Sequence, residues 1–325
     1  MGARRKLAAL AFTCIGLTAA CGSSSNAAGF PERPMRLIVP FPPAGAADIS
    51  ARIVTQKLAE NLQQPIVVEN RGGAGTVIGT TAFLKSSPDG YTLFLHSPPT
   101  AINPTLLKSL PYDTRKDLVP VVTLAKIPLI VLVNPSNAAN TVQELVALSK
   151  RKAGGLTYAS SGNGGSPHLA TEMLRKFTGM NMVHVPYQGS GPAVTAILGG
   201  QVDFTITSSF PKQQVESGKV RAIAVTGAKR WFLLPNTPTV AEQGFTGFEA
   251  STWQGFSVPR GTPRALVSLI NAEVVKVLRS QDVASRLSSQ GFEVIGDTPE
   301  QAARFLEAEI AKWGEAVKFS GAQVN

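Results

Sequence analysis

Met35-Arg36-Leu37-Ile38-Val39-Pro40, then Phe41-Pro42-Pro43-Ala44-Gly45, then Ala46-Ala47-Asp48-Ile49 is a strand, a loop of small and rigid residues, and the first turn of a helix. Leu37, Ile38 and Val39 form a short apolar run that Pro40 stops. After the loop, Ile49, Ile53, Leu58 and Leu62 fall on one side of a helix and point to a core. Pro65 restarts the chain as a strand over 66–68. The same unit recurs with strands over 91–95, 129–133, 156–160, 202–207 and 220–226, each bounded by turn residues. Strand, glycine- or proline-rich loop and amphipathic helix in alternation predict an α/β fold, and the near-continuous Val/Ile/Leu runs predict parallel strands covered on both faces. A last strand at 254–258 runs into Pro259-Arg260-Gly261-Thr262-Pro263, and the rest is helical at 266–278, 283–287 and 302–317, with a short strand at 292–295. Thr298 and Gln301 have the spacing of a capping box at the start of the final helix.

A chain of 325 residues, 43% hydrophobic and 16% charged, can bury a full core and is long enough for about two domains. Arg4, Arg5 and Lys6 precede an uncharged apolar run at 7–20, the pattern of an export signal, and fourteen such residues are too few for a membrane span of roughly twenty. Ala19-Ala20-Cys21 followed by Gly22-Ser23-Ser24-Ser25-Asn26 is similar to a lipoprotein cleavage site with a tether, although Leu17 sits one residue further out than that pattern expects. The alternative is ordinary cleavage near Ala28. Lipidation of Cys21 and a periplasmic location are the expectations. Cys14 is lost on either reading, so neither a disulfide framework nor a cysteine metal site is available. Of the formal net charge of +10, Arg4, Arg5 and Lys6 supply three, leaving +7 after export. The basic residues are scattered and no Lys/Arg run is interleaved with aromatics, which argues against nucleic acid and for weak steering of anions.

Three loops join a strand end to a helix start and are built from small residues: Pro40 to Asp48, Ser160-Ser161-Gly162-Asn163-Gly164-Gly165-Ser166-Pro167-His168, and Val185-Pro186-Tyr187-Gln188-Gly189-Ser190-Gly191-Pro192. Each alone is adequately explained as a tight turn. Three of them at strand C-termini, where open α/β sheets bind ligands and helix N–H groups favour a negative group, point to a carboxylate site. Gly72-Gly73-Ala74-Gly75-Thr76-Val77-Ile78-Gly79 misses the dinucleotide spacing by one residue, and neither a GxxxxGK[ST] phosphate loop nor a GxSxG elbow occurs. His96, His168 and His184 lack metal-ligand spacing. His96 and His168 adjoin candidate loops and can donate to an anion or bond locally; His184 reads as structural. Asp48, in a first helical turn, either stabilises that turn, holds ordered water or accepts a hydrogen bond from the ligand, but it cannot contact a ligand carboxylate directly unless one of them is protonated. No catalytic residue, cofactor or metal is expected.

The chain resembles the TctC/Bug solute-binding proteins of tripartite tricarboxylate transporters. The resemblance rests on Pro31-Glu32-Arg33-Pro34, the 39–52 loop and helix, Glu69-Asn70-Arg71-Gly72, Asp89-Gly90-Tyr91-Thr92-Leu93, Ile102-Asn103-Pro104, Pro111-Tyr112-Asp113, Val185-Pro186-Tyr187, Gly199-Gly200-Gln201-Val202-Asp203, Pro238-Thr239-Val240-Ala241-Glu242 and Gly261-Thr262-Pro263. It implies a two-lobed periplasmic-binding-protein fold (type II-like), each lobe a mixed or parallel sheet flanked by helices, with a hinge crossed twice. The lobes are expected over 29–134 plus 250–325 and over 135–249. It also implies a monomer that binds a small carboxylate and delivers it to membrane permease subunits. Carried over by position, the ligand residues are Phe41, Ala44, Gly45, Ala47, Asp48, Ser97, Thr100, Ser161, Ser166, His168, Gln188, Gly189 and Asp203.

Three positions depart from the family pattern: Ala44-Gly45 where two glycines are usual, His96-Ser97-Pro98-Pro99-Thr100 in place of a Gly/Thr-rich stretch, and Gln188 where a basic residue is frequent. With few fixed charges in these loops, burying several ligand charges is costly, so a mono- or dicarboxylate is expected over a tricarboxylate, with an aromatic or amide distal end resting on Phe41 and Trp253, residues that can equally be core. A hydrolase or transferase on a similar sheet would need a nucleophile with an aligned base, and none is evident. A sensor module presenting ligand to a signalling partner is the other alternative.

Overall fold

The computed structural model describes residues 29–323, and the N-terminal run expected to be an export signal, with Cys21, lies outside them. Two mixed sheets form the frame. The first has the order β11-β4-β10-β3-β1-β2, built from β1 (Met35–Val39), β2 (Ile66–Asn70), β3 (Thr92–His96), β4 (Leu118–Pro128), β10 (Ser251–Pro259) and β11 (Glu293–Val294). The second has the order β7-β6-β8-β5-β9, from β5 (Ile130–Val133), β6 (Leu156–Ser160), β7 (Met182–Pro186), β8 (Phe204–Thr207) and β9 (Arg221–Val225). β1 pairs parallel with β2 and β3, and β6 with β7 and β8. β10 and β5 run antiparallel to their neighbours. A buried apolar run therefore reports burial on both faces and not direction: Ile130, Val131, Leu132 and Val133 are all fully buried in an antiparallel strand.

β4 is the longest strand and has no counterpart among the strands expected from sequence. Pro120, Lys126 and Pro128 interrupt its apolar pattern, and its pairing with β10 is broken by two register shifts, which accommodate residues a regular ladder would reject. The helices are α1 (Ala46–Leu62), α2 (Val77–Leu84), α3 (Pro98–Leu106), α4 (Thr114–Asp117), α5 (Val142–Arg151), α6 (Ser166–Thr178), α7 (Ser190–Leu198), α8 (Lys212–Glu216), α9 (Arg264–Leu278), α10 (Gln281–Ser289) and α11 (Pro299–Ser320), the longer of which flank the sheets. The Thr298–Gln301 capping box is formed: Thr298 Oγ1 accepts from Gln301 N at 3.3 Å and Gln301 Oε1 accepts from Thr298 N at 2.9 Å.

The chain crosses between sheets at Pro128–Leu129 and again at Ala250–Ser251. β5 thus belongs to the second sheet, whereas a boundary at 134 would leave it in the first lobe. Thr226, fully buried, ties the two crossings together: its Oγ1 accepts from Leu129 N at 2.8 Å and donates to Ala250 O at 2.6 Å. The second passage of chain lies in the middle of the first sheet because β10 inserts between β3 and β4.

Candidate functional site

The loop after β1 is held from below by Asp48, which is buried. Asp48 Oδ2 accepts from Ala44 N at 3.0 Å and from Arg52 Nε at 2.9 Å, and Oδ1 accepts from Asn70 Nδ2 at 2.9 Å. Asn70 Nδ2 also donates to Phe41 O at 3.1 Å, so one carboxylate and one amide fix both ends of the loop. The Arg52 hydrogen bond, with smaller help from Ala44 and Asn70, holds the Asp48 carboxyl down at about 2 against the cost of burial. Ala44 sits at φ 65, in the left-handed region where glycine is unstrained.

This clamp aims the start of α1 into a cleft of about 420 Å³ between the two lobes. The cleft is lined from the first lobe by Phe41, Pro42, Pro43, Gly45, Ala46 and Ala47, by Ser97, Pro98 and Pro99, and by Ile127, Thr252, Trp253, Gln254 and Phe292. Ser161, Gly165, Ser166, Pro167 and Ser208 face them from the second lobe. None of these residues is charged.

Three helix N-termini converge there. α1 is preceded by Gly45 and α6 by Gly165, and neither cap residue can supply a side-chain acceptor. The first N–H groups of α1 (Ala46, Ala47, Asp48) and of α6 (Ser166 and His168, since Pro167 has none) are thus left for another acceptor. α3 differs, because Pro98 and Pro99 remove its first two donors and Thr100 N is spent on Ser97 O at 2.8 Å. What α3 offers is Ser97 Oγ, a buried hydroxyl without a protein partner. Opposite-facing helix ends with free N–H groups and no fixed charge suit carboxylate oxygens.

Of the expected ligand residues, Phe41, Gly45, Ala47, Ser97, Ser161 and Ser166 line the cleft, while Ala44, Asp48 and Thr100 stand behind it as supports. His168 is also behind: it is buried, its Nδ1 accepts from Gly164 N at 3.1 Å, and burial holds it down at about 4. Gln188 and Gly189 follow the edge strand β7, with Gln188 exposed, and neither lines the cleft. Asp203 precedes β8 and pairs with Lys152 at 2.6 Å and Thr157 N at 2.7 Å, at the strand end opposite to Ser160. In a parallel pair only C-terminal ends face the cleft, so Asp203 is on the wrong edge of the sheet for a ligand. His96 is buried against Gly255, its Nδ1 2.7 Å from Ser257 Oγ, and burial pushes it down to about 3. Gln254, Thr252, Ser208, Ile127 and Phe292 had no signal in the sequence, since they reach the cleft from distant strands and turns with no pattern of their own. Trp253 anchors the floor, donating Nε1 to Glu309 Oε2 at 2.6 Å.

A larger groove, about 660 Å³, lies between α6 and α11 and is lined by residues including Lys176, Phe177, Lys312, Glu315 and Phe319. No lining residue begins a helix, and Lys176 and Glu315 pair across it at 4.0 Å. A carboxylate has better partners in the smaller cleft. Among the described residues no group of three or more His, Cys, Asp or Glu side chains could hold a metal ion, and no helix is long and apolar enough to cross a membrane.

Two lobes joined by a double crossing, with a cleft at helix N-termini, define a solute-binding protein of the periplasmic type. The chain belongs to the TctC family, described as tripartite tricarboxylate transporter family receptor, whose profile matches residues 50–321. It is similar to Protein BugT of Bordetella pertussis (strain Tohama I), 38% identical over 312 residues and covering 95% of each chain. Among solved structures it is similar to R. palustris Rpa4515 with adipate, at 34% identity and TM-score 0.78, covering 90% of this chain and 99% of that one. It is also similar to MatC from Rhodopseudomonas palustris with bound malate, at 30% identity and TM-score 0.74, covering 89% and 100%. The protein is a receptor and not an enzyme.

Proposed function

We propose that the protein captures a small mono- or dicarboxylate between its lobes in the periplasm, as a monomer, and delivers it to the permease subunits of a tripartite transporter. The observation that carries this reading is the pair of glycine-capped helices, α1 and α6, whose free N–H groups open onto the cleft from opposite lobes. A carboxylate at each end of a short chain completes both caps. Ser97 Oγ and the Gln254 amide are polar groups at hand for a substituent, and Phe41 is the accessible apolar surface, with Trp253 buried beneath the floor. That Rpa4515 and MatC hold adipate and malate, both dicarboxylates, supports the same class. The neutral lining disfavours a third carboxylate, because each further buried anion without a cation costs several kcal/mol.

Calorimetry against a panel of mono-, di- and tricarboxylates tests the reading. A small dicarboxylate binding more tightly than citrate is the expected outcome, and citrate binding more tightly than every smaller acid overturns it. For the lobes we take 29–128 with 251–323 and 129–250, following the sheets. Cys21 as an acylated mature N-terminus belongs to the same proposal, and a secreted chain of unmodified mass beginning near Gly29 would refute it.

A further inference from the structure

The cleft has no use so far for His168 and His184, yet the two rings stack face to face with centroids 4.0 Å apart and planes within 10°. His184 stacks in turn on Tyr158 at 4.9 Å. The column stands directly behind the turn that carries Gly162, Gly164 and Gly165. At one end Gly164 N donates to His168 Nδ1 at 3.1 Å. A backbone N–H can only donate, so this nitrogen is bare and His168 carries its proton on Nε2. At the other end His184 Nε2 lies 2.6 Å from Ser160 Oγ, which also donates to Gly162 O at 3.1 Å and accepts from Gly162 N at 3.2 Å.

Gly162 and Gly164 have φ of 132 and 73, conformations that an isolated glycine turn leaves as readily as it enters. The two residues that follow, Gly165 and Ser166, line the cleft. Something outside the turn has to hold it, and the histidine column is in contact with it at both ends.

We propose that His168 and His184 are positioning residues for the second-lobe half of the ligand site: the stacked pair holds the 160–166 turn so that the first N–H groups of α6 stay aimed at the ligand. This rests on the carboxylate reading of the cleft. The charged and titratable groups around the column are Tyr158 on β6 and Glu172 and Arg175 on α6; Tyr158 O–H donates to Glu172 Oε1 at 2.6 Å, and Arg175 pairs with the same carboxylate. Burial, and secondarily the Arg175 cation, keeps His168 uncharged at neutral pH; burial, and secondarily His168 itself, does the same for His184. Protonation would put a second hydrogen between His168 Nδ1 and Gly164 N and set two cations face to face.

Amide hydrogen exchange over residues 161–168 in the ligand-free full chain tests the proposal with His168→Asn and His168→Leu. Asparagine keeps an acceptor near the position of Nδ1, and leucine keeps bulk alone. Exchange in that segment is expected to rise about tenfold in His168→Leu, the effect of one lost acceptor, and to stay near wild type in His168→Asn. Adipate, as a calorimetric probe, is expected to follow the same order. Equal exchange in the two variants, whether raised or unchanged, overturns the proposal. If His168→Leu does not fold, the nitrogen-15 spectrum of the wild-type imidazoles decides, since a proton on His168 Nδ1 at pH 7 overturns the proposal without any variant. If exchange follows the expected order while adipate and the other small carboxylates bind none of the three proteins, the carboxylate reading has failed and the positioning role stands.

Discussion

Helices α1 and α6 begin after glycine, whereas α5 and α11 begin after threonine, and the difference follows what stands in front of each. Thr141 accepts from Glu144 N at 3.1 Å and Thr298 from Gln301 N at 3.3 Å, so these two helices satisfy their own ends. Gly45 and Gly165 leave theirs to the cleft; α7 also begins after a glycine, Gly189, but away from the cleft, so a glycine start marks the site only where it opens onto the cleft. A side-chain cap contributes about 1 kcal/mol relative to alanine but only a few tenths relative to glycine, so the cleft helices forgo that side-chain contact at small cost. The comparison teaches that the site is made by omission: the orphan donors at two helix starts are the recognition groups, and a side-chain cap would compete with the ligand for them.

The largest expected effect comes from supplying the missing cap. Gly45 and Gly165 have φ of −80 and −71, open to any residue, and a Cβ at either meets nothing closer than 3.5 Å. Gly165→Asp is expected to raise stability by a few tenths to about 1 kcal/mol through the helix end, and to weaken carboxylate binding by about 100-fold or more through self-capping and like charge. Thermal denaturation and calorimetry read the two halves separately. A variant that binds as well as wild type breaks the comparison.

Next in size is the support behind α1. The Asp48 carboxyl is depressed to about 2 from an ordinary 3.8, so its contribution is fully present above about pH 4 and is lost as pH falls toward 2. Half-exposed Arg52 screens part of it, and about 1–2 kcal/mol is expected. The stability difference between wild type and Asp48→Asn should therefore close as acid denaturation is followed from pH 6 down to pH 2. A gap that persists at pH 2 assigns the effect to packing.

The control helix sharpens the contrast. Thr298→Ala should cost about 1 kcal/mol of stability by urea denaturation and leave carboxylate affinity unchanged. A loss of affinity would mean that α11, which packs on both lobes through residues such as Trp313 and Ile310, transmits its end to the site. The smallest effect is expected at Ala44, whose left-handed backbone favours glycine by about 1 kcal/mol while glycine costs about as much in the unfolded chain. Ala44→Gly should then shift the melting temperature by little, and a fall of several degrees would show that the Ala44 methyl packs in a way the clamp does not explain.

Much of the fold was legible. β1, the loop at Pro40–Gly45 and α1 follow from an apolar run, three prolines and one helical stripe, all local signals. The capping box at Thr298 was legible for the same reason. β4 was not, because Pro120 and Lys126 break its pattern and only the bulged pairing with β10 makes it a strand. The antiparallel course of β5 was equally hidden, since Ile130 to Val133 look the same in either direction.

The cleft divides along the same line. Gly45, Ala47, Ser161 and Ser166 could be read from loops at strand ends, but Gln254, Thr252, Ser208 and Phe292 could not, and Asp203 was misplaced because a residue before a strand lies on the edge away from the site. What the sequence by itself determined is most of the elements though not β4, the scarcity of fixed charge in the binding loops and the glycines before α1 and α6. These are properties of neighbouring residues. What only the tertiary structure decided is which helix starts face each other, that Thr226 ties the two crossings, and that His168 of α6 and His184 of β7 stack behind the glycine turn. Those depend on contacts across some 16 to 120 residues, which the packing of sheets and helices brings together and no local pattern encodes.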